Sequence, residues 1–162
     1  MVQRNGGKPG RDHTRPERDP DEPVIFVVWP DPRDPPLPIR TNSQQMRNFW
    51  TPSLGTLVVD IAQRVALYLE DGLTVTFTWA ELAATFGVGG NLASIRKALD
   101  SLQMARFMQL VDGSYQLRLT TPKLAVHHAA KLPEYIAGPY NLLCGTPSDV
   151  NVIDLRDHQR RP

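Results

Sequence analysis

From Leu73 to Trp79, apolar and polar positions alternate: Leu73, Val75, Phe77 and Trp79 against Thr74, Thr76 and Thr78. A period of two predicts a strand with one buried face. Thr78 and Glu81 then stand three apart, the spacing of a capping box, so a short helix is expected from about Ala80 to Phe86. Gly87 sits where a helix end needs positive φ, and Gly89 and Gly90 extend the turn to Asn91, a residue suited to cap the next helix. From Leu92 the period changes to 3.6. Leu92, Ile95, Leu99 and Leu102 form one stripe with Ala98 on its edge, leaving Ala93, Ser94, Lys97, Asp100 and Ser101 outside. After Arg106 alternation returns through Phe107 to Val111 and Ser114 to Leu119, broken by Asp112-Gly113. Asp-Gly between two such runs predicts a two-residue hairpin in which Leu110 faces Tyr115 and Met108 faces Leu117.

Upstream, Leu54, Val58, Ile61, Val65 and Tyr68 or Leu69 recur at helical spacing and predict a helix. Its start lies at Thr51-Pro52 or near Leu57, and Asp71-Gly72 ends it. VIFVVW, Val24 to Trp29, is an apolar run of strand length, stopped by Pro30, Pro32, Pro35, Pro36 and Pro38. Between these elements Arg40 and Arg47 stand close to Phe49 and Trp50. Arginine interleaved with aromatics is seen on nucleic-acid surfaces, but the simpler expectation is that Phe49 and Trp50 anchor the chain onto the core. Downstream, Thr121-Pro122 reads as the start of a helix through Lys131, ending before Pro133. Leu124, Val126 and Leu132 on it are candidates for dimer contacts or for packing on the first helix. Tyr135, Ile136, Tyr140, Leu142 and Leu143 are candidate core anchors, and VNVIDL, Val150 to Leu155, is strand-like enough to pair with VIFVVW.

Composition separates foldable from unfoldable parts of the 162 residues. Met1 to Pro23 is glycine, proline and cancelling charge, with too little apolar surface to offset the entropy of ordering it. The expected fold class is α+β, a winged helix-turn-helix domain with a disordered N-terminal arm and extended terminal segments. Its parts are the arm (1–23), a strand plus Pro-rich extended segment (24–56), the winged unit (57–121), and a C-terminal helix and tail (122–162). The formal net charge is +1. Within the winged unit Arg64, Arg96, Lys97, Arg106 and Arg118 face Asp60, Glu70, Asp71, Glu81, Asp100 and Asp112, so a basic patch must come from placement rather than excess.

The order helix, strand, helix, turn, helix, strand, wing, strand resembles the winged helix-turn-helix superfamily over Leu57 to Thr120. SIRKALDSLQMARFMQL resembles the winged domains of bacterial regulators and plasmid replication initiators. The resemblance implies double-stranded DNA as partner, with the helix Asn91 to Met104 entering the major groove. It further implies DNA contacts from Asn91, Ser94, Arg96 and Lys97, backbone contacts from Arg106 and Arg118 at the base of the wing, and a homodimer through the C-terminal helix. Two features depart from the pattern: the wing tip Asp112-Gly113-Ser114 has no arginine, and Asp100 lies on the exposed face. They keep a second expectation open, a non-enzymatic adaptor holding a partner protein.

Other chemistry finds little support. His127 and His128 are adjacent and on an ideal helix diverge by about 100°, so no shared metal ion is expected. GVGG lacks the Gly-Lys-Ser/Thr end of a phosphate loop, and no catalytic constellation stands out by spacing. No enzyme activity and no cofactor are expected. With one cysteine, Cys144, no run near the ~20 apolar residues of a membrane span, and no apolar stretch in the arm, a cytoplasmic location is expected.

Overall fold

The computed structural model describes residues 19–30, 37–72 and 74–144. Its fold is α+β: β1 (Pro23–Val28), α1 (Gln44–Leu54), α2 (Thr56–Asp71), β2 (Thr74–Thr78), α3 (Trp79–Thr85), α4 (Leu92–Met104), β3 (Met108–Val111), β4 (Ser114–Leu117), α5 (Val126–Ala129) and α6 (Glu134–Cys144). The four strands form one sheet in the order β2-β1-β4-β3.

VIFVVW lacks a polar side because β1 is an inner strand, paired on both edges. It runs antiparallel to β2, with Val24 opposite Phe77 and Phe26 opposite Val75. It runs parallel to β4, with Phe26 opposite Tyr115 and Val28 opposite Leu117. Phe26 is fully buried, its ring stacked on Tyr115 at 5.5 Å and edge-on to Phe77 at 6.2 Å. These partners replace the expected pairing with Val150 to Leu155, a segment outside the described residues. The expected strand also loses its last position: Trp79 is the first residue of α3, and Leu73 is not described.

Part of the expected disordered arm is ordered against that junction. The Trp79 indole donates to Glu22 at 3.2 Å, and the Ala80 amide donates to the Pro20 carbonyl at 3.0 Å. Residues 1–18 lie outside the described part.

The segment 44–54, expected as extended, is helical. Ser43 caps α1 by accepting from the Met46 amide at 3.2 Å, and Met46, Phe49 and Trp50 form its buried side. Pro52 sits inside the last turn, and Gly55, at a φ of 85°, ends α1 and opens α2. Of the two candidate starts, the one near Leu57 corresponds to α2, which begins at Thr56, whereas Thr51-Pro52 lies in the last turn of α1 and starts no helix. Val58, Ile61, Val65 and Leu69 of α2 are buried, as their spacing predicts. They share one core with Ile95, Leu99 and Leu102 of α4, Leu82 of α3, and Phe26 and Leu117 of the sheet.

Thr121-Pro122 does not start a helix, because its backbone is already engaged. The Thr121 amide donates to Ile39 at 2.9 Å, the Leu37 amide to Thr121 at 3.0 Å, and the Thr41 amide to Leu119 at 2.8 Å. This pairing of 37–41 with 119–121 holds the chain extended until the short α5. Of the expected C-terminal anchors, Tyr140 is buried against Phe49 and Trp50, with ring separations of 5.4 and 5.9 Å. Ile136 and Leu143 are half-buried, whereas Tyr135 and Leu142 are exposed.

Candidate nucleic-acid interface

Helix α4 is set in place by the turn before it. The Thr78 hydroxyl accepts from the Glu81 amide at 3.1 Å, and the Glu81 carboxylate accepts from the Thr78 amide at 2.7 Å, fixing the start of α3. The end of α3 is closed by two bonds, Gly87 amide to Ala84 carbonyl and Val88 amide to Ala83 carbonyl, with Gly87 at a φ of 67°. This is the Schellman arrangement, which needs a left-handed residue. An added methyl at Gly87 meets nothing within 4 Å, so only backbone strain opposes it. Gly87→Ala is therefore expected to destabilise the protein by about 1 kcal/mol in urea unfolding, through the left-handed conformation alone.

Asn91 caps α4, its side chain accepting from the Ser94 amide at 3.2 Å. Ile95, Ala98, Leu99 and Leu102 are buried and Leu92 is half-buried. The opposite side reaches solvent: Asn91, Ala93, Lys97 and Asp100 are exposed, Ser94 and Ser101 half-exposed. Among the described residues no salt bridge engages Lys97 or Asp100; the surface pairs Arg40–Glu70 and Arg47–Asp60 lie elsewhere.

Three of the expected arginine and lysine contacts take different positions from one another. Lys97 projects from the exposed stripe. Arg96 lies at its margin, half-buried, with its Nε enclosed and without a hydrogen-bond partner among the described residues. Arg106 is exposed and holds a φ of 63° at the end of α4, where the Arg106 amide reaches Gln103 and the Phe107 amide reaches Leu102. This is a second Schellman ending, with arginine where glycine is usual.

Arg118 departs from the expected surface role. Only 1% of it is exposed, its guanidinium stands 5.7 Å from the centre of the Trp29 ring, and its carbonyl accepts from the Thr41 hydroxyl at 2.8 Å. The strand ends at Leu117, and residues 37–41 cover the position that alternation places outside. Arg118 thus belongs to the interior and not to the exposed surface.

Side chains to which the sequence assigns no nucleic-acid contact stand near Arg106. Lys123, His127 and His128 join it around a groove of about 630 Å³ that also includes Ser101, Met104 and Leu124. The two imidazoles lie with ring centres 4.1 Å apart rather than diverging as on an ideal helix. Burial, reinforced by His127 and Lys131, holds the His128 pKa below its ordinary value. No spacing rule points to Lys123 or His127, since they precede and begin a four-residue helix.

The hairpin turn has the geometry expected of Asp-Gly, with Asp112 at a φ of 48° and Gly113 at 77°. Met108 pairs with Leu117 and Leu110 with Tyr115. Leu110, however, is 49% exposed at the sheet edge, so the apolar side closes over the helices only in part. Among the described residues no group of three or more His, Cys, Asp or Glu side chains is placed to hold a metal, and no helix is long and apolar enough to cross a membrane. No protein-family model, curated protein or solved structure matches the chain.

Proposed function

We propose that α2, β2, α3, α4 and the β3–β4 hairpin constitute a winged helix-turn-helix unit and that it binds double-stranded DNA, in gene regulation or in replication or partition. Solvent exposure of the capped α4 stripe, Asn91, Ser94 and Lys97, carries this assignment: an amphipathic helix with its apolar side in the core presents a polar ridge of the width a major groove accepts. Asn91 and Ser94 supply hydrogen-bonding groups near the helix start, Lys97 a phosphate contact one turn on, and Arg106 and Lys123 contacts to backbone beside the wing.

Anisotropy of a labelled random duplex, read from about 50 to 200 mM salt, tests it. Three phosphate contacts give a slope of log affinity on log salt of about −3. Absence of binding at the low-salt end contradicts the assignment. The left-handed Arg106 gives a finer check. Arg106→Gly relieves strain at that position and is expected to hold or raise the melting temperature while weakening duplex binding about threefold to tenfold. A fall in stability with unchanged affinity contradicts the role given to the side chain.

A specific observation favours a second reading, a protein-binding adaptor. The wing tip carries Asp112, and Leu110 and Val111 at the β3 edge are 49% and 36% exposed. A duplex-binding wing is better served by cations, whereas an apolar edge strand suits strand addition by a partner protein. The homodimer expected through a helix over 122–131 is moved to α6 in this proposal, because only Val126–Ala129 of that segment is helical and Leu132 is buried. Tyr135 and Leu142, 79% and 87% exposed, are seven residues apart and share one side of the helix. Leu142→Glu is expected to convert a dimer to a monomer in light scattering, and an unchanged mass contradicts this contact.

A further inference from the structure

The free edge of β3 carries hydrogen-bonding groups that the sheet does not use. The Arg118 amide donates to the Phe107 carbonyl at 2.9 Å, and Val111 lies opposite Ser114 across the two-residue turn, so Phe107, Gln109 and Val111 aim their backbone groups at β4. Met108 and Leu110 therefore turn theirs outward, and among the described residues those groups have no hydrogen-bond partner. Leu110 and Val111 are 49% and 36% exposed at this edge. MQLV has no charge, proline or bulge to deter another strand, and its shortness is its only protection.

We infer that the chain's own C-terminal segment, Val150 to Leu155, adds to this edge as a fifth strand. Its pattern, its distance and its tether select it as the occupant. Val150 and Val152 alternate with Asn151 and Ile153. With the two valines beside Met108 and Leu110, Asn151 stands beside Gln109 and extends the polar row in which Gln109 donates to Gln116 at 2.7 Å. This match is the same whether the added strand runs parallel or antiparallel to β3.

The end of α6 lies on the β3 side of the sheet. Tyr140 and Phe107 both pack on the Trp50 ring, at 5.9 and 5.8 Å, and the Cys144 thiol bonds to the Tyr140 hydroxyl. Gly145 to Asp149, the link from α6 to the segment, can span about 20 Å when extended. The other edge, β2, is three strand spacings or about 14 Å further across. So short a link also holds the segment near β3 at an effective concentration on the order of millimolar. A second copy or a foreign strand of equal intrinsic affinity, present at micromolar concentration, is outcompeted.

The entropy of ordering the segment opposes the addition, which makes the strand displaceable rather than part of the core. A partner protein that adds a strand to β3, as in the adaptor reading, has to displace it first. The inference itself rests on neither functional reading.

Amide hydrogen exchange of the full chain, compared with the double variant Val152→Pro/Ile153→Pro, tests the addition. One of those two amides faces β3 in either strand direction, and proline removes it. The Met108 and Leu110 amides are expected to exchange at least about tenfold faster in the variant, while Gln109 and Val111, bonded to β4, keep their rates. Met108 and Leu110 rates that do not change, or that change no more than those of Gln109 and Val111, overturn the inference. A second measurement places the contact. With Cys144→Ser as background, Gln109→Cys/Asn151→Cys is expected to close a disulfide within one chain on mild oxidation at micromolar concentration. Absence of that disulfide, or its formation only between chains, overturns the inference, and the second result assigns the edge to another copy.

Discussion

Phe26→Ala is expected to remove about 3–5 kcal/mol of folding stability, a large share of the roughly 5–15 kcal/mol that holds an ordinary domain together. The side chain is fully buried and meets Tyr115 on one neighbouring strand and Phe77 on the other. Its loss therefore leaves a cavity at the one strand that joins β2 to the hairpin. Urea unfolding followed by circular dichroism should show a much lower midpoint with a similar slope. A loss under about 1 kcal/mol would mean that the site collapses freely and that β1 is a peripheral addition to the helices.

Lys97→Glu is the second large effect, and it acts on binding rather than on folding. Lys97 is exposed on the outer side of α4 and joins no salt bridge among the described residues, so reversal of its charge should leave the melting temperature nearly unchanged. Duplex affinity near 50 mM salt is expected to fall about thirtyfold or more, with a salt dependence shallower by about one to two contacts. Arg96→Glu is a poorer probe. Its enclosed Nε places part of the side chain in the protein, and a change there mixes stability with binding. Affinity unchanged in Lys97→Glu would remove α4 from the contact surface.

Much of the frame was legible because its signals are local. Thr78 with Glu81, Gly87, Asn91 and Asp112-Gly113 each specify a cap or turn through atoms a few residues apart, and each takes its expected conformation. The inward stripe of α4 was equally readable from spacing. Helix α1 was hidden although its pattern is present: Met46, Phe49, Trp50 and Leu54 recur at three and four. Thr51-Pro52 reads as the first turn of a helix and so points to a start where α1 in fact has its last turn.

The misplaced parts all depend on pairings distant in sequence. VIFVVW was recognisable as a buried strand, but neither β2 nor β4 could be picked as its neighbour from local pattern. Arg118 falls on the outer side by alternation and is nevertheless buried, because residues 37–41, some 80 positions earlier, lie across it. The same pairing keeps 121–125 extended and so delivers Lys123 to the groove beside Arg106. A proline at the first position of a helix is a local hint, and a backbone already bonded to another segment overrides it. The candidate surface accordingly moved: it kept Asn91, Ser94 and Lys97, lost Arg118 to the interior, and acquired Lys123.

Amide chemical-shift mapping of the full chain, as random duplex is added at low salt, tests most directly whether the outer stripe of α4 is the docking surface. The expected result is perturbation concentrated at Asn91, Ala93, Ser94 and Lys97, extending to Arg106 and Lys123, with α6 and β2 unaffected. Perturbation confined to the β3 edge or to α6, with the Asn91–Lys97 amides unmoved, would contradict it.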